Sequence, residues 1–345
     1  MEFSERLLAW YDENARALPW RENKNPYFVW VSEMMLQQTR VEAVKEYFVR
    51  FVQALPTVQD LANVDDEVLM KLWQGLGYYR RAQYLKHAAN TIVNELCGKF
   101  PTTAEGWQKL KGVGEYASGA IASIAFDQKA TAVDGNVMRV FARLFALQDD
   151  ISKPQTKAKI TAMVQQVLPS NRVGDFNQAL MELGATVCLP NGQPHCTVCP
   201  FYQTCLARQN GIQNQLPVKE KQKSRIVDEK TVLLLMANEK LLLHKRPSHG
   251  LLSNLWEPLN LEGLKSENEI TEHLSSLGLH ATKVETLEKA KHIFTHREWH
   301  MNAMLVQCEQ NGNLAKEYEW VSKKELETTY SVPNAFSAFL KQLKW

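Results

Sequence analysis

Residues 110–122, LKGVGEYASGAIA, decide the fold class. Gly112 and Gly114 flank the β-branched Val113, and the helix that follows is built almost wholly of small residues. Two glycines so placed between helices make a tight hairpin. The backbone N–H groups of Lys111, Gly112, Val113 and Gly114 then stand free at the start of the next helix, where a phosphate can be held. The spacing therefore predicts a helix–hairpin–helix element over about 103–125, a device for anchoring a nucleic-acid backbone. A plain interhelical turn satisfies the same pattern.

Working outward, the chain up to about residue 215 reads as helical. Segments 3–16, 30–54, 66–75, 79–97, 115–126, 136–147, 155–168 and 175–187 carry apolar residues at three-and-four spacing. Pro19, Pro26, Pro56, Pro101, Pro154 and Pro169 fall between them, where helices stop. The texture changes after Asn210. A polar linker is expected over 216–230, with Lys219, Lys221, Lys223 and Arg225 alternating along it as a solvated tether or a phosphate-tracking strip. From 231 to 345 the pattern is α+β. TVLLLMA (231–237) and KLLLHKR (240–246) are strands joined by a turn at Asn238, and AMLVQC (303–308) and YEWV (318–321) are further strands. A helix lies within 261–279, Ser322 to Glu325 forms a capping box, and an amphipathic helix carries Phe336, Phe339, Leu340 and Leu343.

Composition agrees with a two-domain globular chain of 345 residues: 45% of residues are apolar and 23% charged. There is no run of roughly 18 apolar residues to span a membrane. The charged N-terminal stretch lacks a signal-peptide core, so a cytoplasmic setting is expected. The net charge of +2 neither demands nor excludes nucleic acid. If DNA is bound, the hairpin, Arg80–Arg81 and the 219–225 tether should supply the basic face.

Three further motifs carry chemistry. Val133-Asp-Gly-Asn-Val-Met-Arg139 places Asp134 just ahead of a helix, either as its N-cap or as a site carboxylate. Glu33 lies among Trp30, Met34 and Met35, where burial would raise its pKa and fit it for general acid work; a place on the helix's polar flank is the alternative. Four of the six cysteines, Cys188, Cys196, Cys199 and Cys205, fall within eighteen residues. In a reducing compartment such a cluster is a metal site. Only Cys196 and Cys199 form a CxxC pair, so iron–sulfur is favoured over zinc. Cys97 and Cys308 read as ordinary thiols.

Together with Ser32-Glu-Met-Met-Leu-Gln-Gln-Thr39, Leu72-Trp-Gln-Gly-Leu-Gly-Tyr-Tyr79 and Asp175-Phe-Asn-Gln-Ala-Leu-Met-Glu-Leu-Gly184, these motifs occur in the order of one family. Over essentially its whole length the chain resembles the adenine DNA glycosylases of the MutY type, within the helix–hairpin–helix superfamily. The resemblance implies a mainly α protein: an all-helical glycosylase domain (1–215) with a [4Fe-4S] cluster loop (188–205), then a C-terminal α+β Nudix-like domain. It implies a monomer acting on double-stranded DNA, which removes adenine mispaired with 8-oxoguanine or guanine and leaves an abasic site. On the matching positions, Glu33 would protonate the base and Asp134 would stabilise the cationic sugar. Tyr116 and Asn136 would orient them. Trp20, Arg21 and Gln178 would line the adenine pocket, with core packing an alternative for Trp20. Gln38, Thr39 and Tyr78 would enter the duplex, with the same alternative for Tyr78. Phe294, Thr295 and His296 would read the lesion.

Several positions depart from the family pattern. Lys111 stands where proline is usual, and the Cys188–Cys196 interval is one residue longer. No phenylalanine separates Glu257 from Pro258, and Thr295 replaces serine. The related endonuclease III type carries a nucleophilic lysine at the position of Tyr116. Tyrosine cannot form an imine, so a monofunctional enzyme is expected rather than a bifunctional or thymine-mismatch one. After Trp256 there is no acidic run to hold magnesium, so the second domain is expected to sense the lesion and not to hydrolyse nucleotides. The presence of both Glu33 and Asp134 argues against a catalytically silent DNA-binding protein.

Overall fold

The computed structural model describes residues 2–220, 224–310 and 314–345. The chain forms two compact units: Met1–Asn63 with Gln83–Gln222, and Val64–Ala82 with Lys223–Trp345. The tether lysines Lys221 and Lys223 lie outside the described residues.

The helices of the first stretch are α1 (Phe3–Asn14), α2 (Pro26–Leu36), α3 (Val41–Ala54), α4 (Val58–Asn63), α5 (Asp66–Trp73), α6 (Arg80–Asn94), α7 (Ala104–Gln108), α8 (Glu115–Phe126), α9 (Gly135–Leu144), α10 (Pro154–Gln166), α11 (Val173–Thr186) and α12 (Leu206–Gln209). Helix α2 begins on a matched signal: Asn25 accepts from the Tyr27 N–H at 2.9 Å, and Pro26 opens the first turn. Helices α2 and α8 are apolar on nearly all faces and are correspondingly buried. Helix α8 packs against α2, α7 and α11, and α11 against α1 and α9. One core joins Leu7, Val137, Phe141, Phe176 and Leu180, with the cysteine loop resting on it through Phe201. Residues 30–54 do not form one helix. The chain breaks at 37–40, where Gln38 adopts φ 59°, and no proline or glycine marks the break.

Helix α5 and the turn after it belong to the second unit, although the sequence groups them with the first domain. The reason is long-range bonding. Lys71 Nζ donates to the carbonyls of Leu326 and Tyr330, Gln74 Nε2 donates to the Val332 carbonyl, and Glu67 accepts from Lys245 Nζ at 2.6 Å and Trp256 Nε1 at 3.0 Å.

The remainder of that unit contains β1 (Ile226–Ala237), β2 (Lys240–Lys245), β3 (Trp256–Glu257), β4 (Leu259–Glu262), α13 (Glu267–Ser276), β5 (Leu279–Thr286), β6 (Ala290–Ile293), β7 (Arg297–Gln310), β8 (Tyr318–Val321), α14 (Lys323–Thr328) and α15 (Ser337–Leu340). The strands form one sheet of order β3-β2-β1-β7-β5, with β4 on β1, β6 on β7 and β8 on β2. β1 runs parallel to β7, from Ile226 opposite Arg297 to Met236 opposite Gln307. Val232, Leu234 and Met236 enter one core, and Leu233, Leu235 and Ala237 the other, so TVLLLMA is continuous because both faces are covered. The expected turn is present, with φ 48° at Asn238 and 59° at Glu239, as a tight hairpin requires. The Ser322–Glu325 capping box is also present. The linker is shorter than expected, because Ile226–Lys230 already pair within the sheet. The helix expected within 261–279 is α13.

Candidate active site

Asn25 and Pro26 launch α2 so that its last full turn carries Glu33 inward; only 4% of Glu33 is exposed. From α8, Tyr116 donates its hydroxyl proton to Glu33 Oε2 at 2.7 Å. Asp134 caps a helix and also reaches the cavity. Its Oδ1 caps α9 by accepting the Val137 N–H at 2.8 Å, while its Oδ2 accepts from Asn136 Nδ2 at 2.7 Å. From α11, Gln178 accepts from Arg21 Nε at 3.1 Å.

These elements enclose a cavity of about 150 Å³ whose wall includes Trp20, Arg21, Glu33, Thr39, Tyr116, Asp134, Asn136 and Gln178. The two carboxyls are electrostatically distinct. Burial pushes Glu33 up to about 7; the Tyr116 hydrogen bond and Arg21 oppose that, and Asp134 adds to it. Burial also holds Asp134 above the ordinary carboxylate value, although the Val137 and Asn136 donors and nearby Arg139 limit that rise. Near neutral pH, Glu33 can therefore hold a proton beside an Asp134 braced as the anion. Trp20 lines the cavity and also packs edge-on against Phe48 with centroids 5.6 Å apart.

The other expected residues lie elsewhere. In the hairpin, Lys111, Gly112 and Gly114 are exposed and Val113 is buried as the pivot. Gly112 has φ +84°, and a Cβ there would meet the Tyr84 ring at 2.5–2.7 Å. Gln38 is exposed. Within the second unit, the exposed Tyr78 places its hydroxyl 2.5 Å from Thr295 Oγ1. Phe294 packs edge-on against Trp299, and Thr295 and His296 form the exposed tip of the turn between β6 and β7. Arg225 donates to the Phe294 carbonyl at 3.1 Å. Arg81, expected on a basic face, is instead 6% exposed; it bonds the Gly77 carbonyl at 3.0 Å and lies over Trp73 and Tyr78.

The thiols of Cys188, Cys196, Cys199 and Cys205 line a separate cavity of about 30 Å³, otherwise walled by residues such as Val140, Leu144 and Leu183. Among the described residues, no three His, Cys, Asp or Glu side chains are placed to hold a single metal ion. The longer first interval closes through a bond from the His195 N–H to the Val187 carbonyl, with Gly192 at φ +75°. Arg143 donates to Cys188 Sγ at 3.3 Å. Burial raises Cys196 and Cys205 and pushes Cys199 up to about 12.

Sequence reasoning missed four charged residues. Arg139 bonds Asn136 Oδ1 and the carbonyls of Cys188 and Gly184, each at 2.7–2.8 Å. Arg143, one turn on, braces the cysteine loop. Glu182, one turn beyond Gln178, is held by Arg16 and Arg21. For Arg139, Arg143 and Glu182, helical spacing from residues already singled out was the available signal; Arg16, between α1 and the 19–21 turn, carried none.

Comparison with known proteins places this architecture. The family description "HhH-GPD superfamily base excision DNA repair protein" matches residues 31–166, and "NUDIX domain" matches residues 231–342. The structure is similar to that of a thermostable thymine-DNA glycosylase, with a TM-score of 0.55 and 26% identity over 60% of this chain and 95% of that one. The adenine DNA glycosylase of Rattus norvegicus is 47% identical over 223 residues, which are 62% of this chain and 43% of that protein. That of Schizosaccharomyces pombe is 31% identical over 94% of this chain and 86% of its own length. The chain belongs to the adenine DNA glycosylase family. It spans less than half the length of the rat relative.

Proposed function

We propose that this chain is a monofunctional DNA N-glycosylase that releases adenine paired with 8-oxoguanine, or with guanine, from double-stranded DNA and leaves an abasic site. The observation that carries the reading is Glu33 and Asp134 on one cavity, the first held by Tyr116 with a pKa near 7 and the second braced by Asn136 and the Val137 N–H.

A stacked adenine cannot reach such a cavity, so it must leave the helix. Extrusion costs on the order of a few kcal/mol, and less for a mispaired base. Protonated Glu33 then donates to N7 of the base, making it a better leaving group. General acid help is worth roughly 10²–10⁴-fold. Ionised Asp134 stabilises the positive charge that develops on the sugar as the bond breaks, and water completes the hydrolysis. Among the described residues, no lysine lies on the cavity wall to form an imine, which supports base release without strand cleavage.

The hairpin amides of Lys111, Gly112 and Gly114 hold backbone phosphate, with Lys111 adding a charge, whereas the Val113 N–H, expected to join them, is taken by the Leu110 carbonyl at 3.2 Å. Gln38, Thr39 and Tyr78 enter the duplex. The Phe294–His296 turn inspects the opposite base, with the Thr295 hydroxyl replacing the Tyr78 bond by one to the lesion. The chain works as a monomer. A [4Fe-4S] cluster held by Cys188, Cys196, Cys199 and Cys205 suits the cavity that these four thiols line. It would supply structural cross-linking of the loop, stabilising as thiolates Cys196, Cys199 and Cys205, which burial otherwise keeps protonated. Incubation with duplexes carrying adenine opposite 8-oxoguanine, followed by separate assays for free base and strand breaks, tests the reading. Free adenine with intact strands is expected, and strand cleavage keeping pace with base release contradicts it.

A further inference from the structure

The cavity wall contains a charged assembly that the reaction above does not use. Glu182 is 1% exposed and accepts from the Arg16 N–H at 3.2 Å, Arg16 Nε at 2.5 Å, Arg16 Nη2 at 3.0 Å and Arg21 Nη2 at 2.9 Å. Burial alone would raise Glu182, but the two guanidiniums hold it below the usual carboxylate value. Arg21 is thereby fixed at every nitrogen: Nη1 donates to the Arg16 carbonyl at 3.2 Å, Nη2 to Glu182, and Nε to Gln178 Oε1 at 3.1 Å.

A guanidinium has donors and no acceptor. The side-chain oxygen of Gln178 must therefore face Arg21, and its NH₂ group is the end left for the cavity. A free glutamine could turn over and offer either end to a base.

We propose that Glu182 is a positioning residue: by clamping Arg21 it fixes the polarity of the Gln178 amide, so that the pocket donates a hydrogen bond to an acceptor ring nitrogen of the extruded base. The inference rests on the adenine-releasing reading above. The same clamp sets a carboxylate against Arg21 and offsets part of its charge next to Glu33. The charged and titratable groups facing Glu33 are Tyr116 from α8, Asp134 ahead of α9, and Arg21 from the 19–21 turn, the last paired with Glu182 of α11.

The test uses single-turnover base release from duplexes carrying adenine, 1-deazaadenine or 3-deazaadenine opposite 8-oxoguanine. Each analogue lacks one acceptor ring nitrogen, and its intrinsic reactivity cancels when wild type is compared with a variant. The wild type should discriminate against one analogue by about fivefold to tenfold beyond a Gln178→Met control, as one hydrogen bond implies. Glu182→Gln should abolish that excess, and the double variant should show no further change. A merely structural Glu182 would slow all three substrates equally, which overturns the proposal. Should Glu182→Gln not fold, Gln178→Glu keeps the acceptor for Arg21 but has no NH₂ group. It should lose the excess discrimination, and retention overturns the proposal. A wild type that releases adenine without excess discrimination defeats this inference alone, whereas one that releases no adenine defeats the underlying function.

Discussion

Tyr116→Phe tests how the buried acid is tuned. In the wild type, burial lifts Glu33 from the ordinary 4.5 to about 7, and the Tyr116 hydroxyl, donating at 2.7 Å, pulls in the opposite direction by favouring the carboxylate. A hydrogen bond to a buried charged acceptor contributes about 1.5–3 kcal/mol, and one to the neutral acid about 1 kcal/mol. The difference, about 1.4 kcal/mol, corresponds to about one pH unit. A general acid works while protonated, so wild-type base release should fall as pH rises through about 7. In Tyr116→Phe that fall should move about one unit higher, with a lower plateau because Glu33 is less well oriented. Stability follows the same sign. A carboxyl raised from 4.5 to about 7 contributes its full share below pH 4.5 and loses about 3 kcal/mol of it as pH climbs from 4.5 through 7. The assay is single-turnover base release from pH 5 to 9, with Glu33→Gln expected to remove the acidic control. A descending limb in Tyr116→Phe that stays at the wild-type pH, or moves lower, refutes the reasoning.

Other perturbations separate structural from chemical roles. Asp134→Asn keeps a good N-cap for α9 while removing the charge, so base release should fall at least 10²-fold, on the order of a lost electrostatic partner, with lesion-duplex binding retained; lost binding indicates a structural role instead. Arg139→Met strands Asn136 Oδ1 and the carbonyls of Gly184 and Cys188, which should cost several kcal/mol and lower the melting temperature by about 2–4 °C for each; an unchanged melting temperature contradicts this. Truncation after Glu220 removes the partners of Glu67, Lys71 and Gln74. Amide exchange across 66–73 should rise and preference for 8-oxoguanine over guanine should fall, and protection equal to the full chain's would show that α5 does not depend on the second unit.

The parts legible in the sequence are those where local pattern and tertiary role coincide. The glycine hairpin, the Asp-Gly-Asn cap and the doubly buried TVLLLMA strand each declare themselves within a few residues. Glu33 was ambiguous because a carboxylate beside tryptophan and methionine can face either way; burial against α8 resolves it. The break at 37–40 carries no helix-stopping residue, and the first half of β7, REWHMN, is too polar to read as a strand until β1 pairs with it. Arg81 looked like a surface cation but satisfies the carbonyls of the turn it follows. Membership of α5 in the second unit depends on partners more than 170 residues away, and no local signal encodes it.

The central claim is that Glu33 and Asp134 together break the glycosidic bond of adenine without any covalent step through lysine. Single-turnover reaction with a duplex containing adenine opposite 8-oxoguanine, resolved with and without alkali, tests it most directly. The account predicts free adenine at full yield and strand breaks only after alkali. Strand breaks forming without alkali at the rate of base release, or a chain reducible by borohydride into a covalent complex with the DNA, would contradict it.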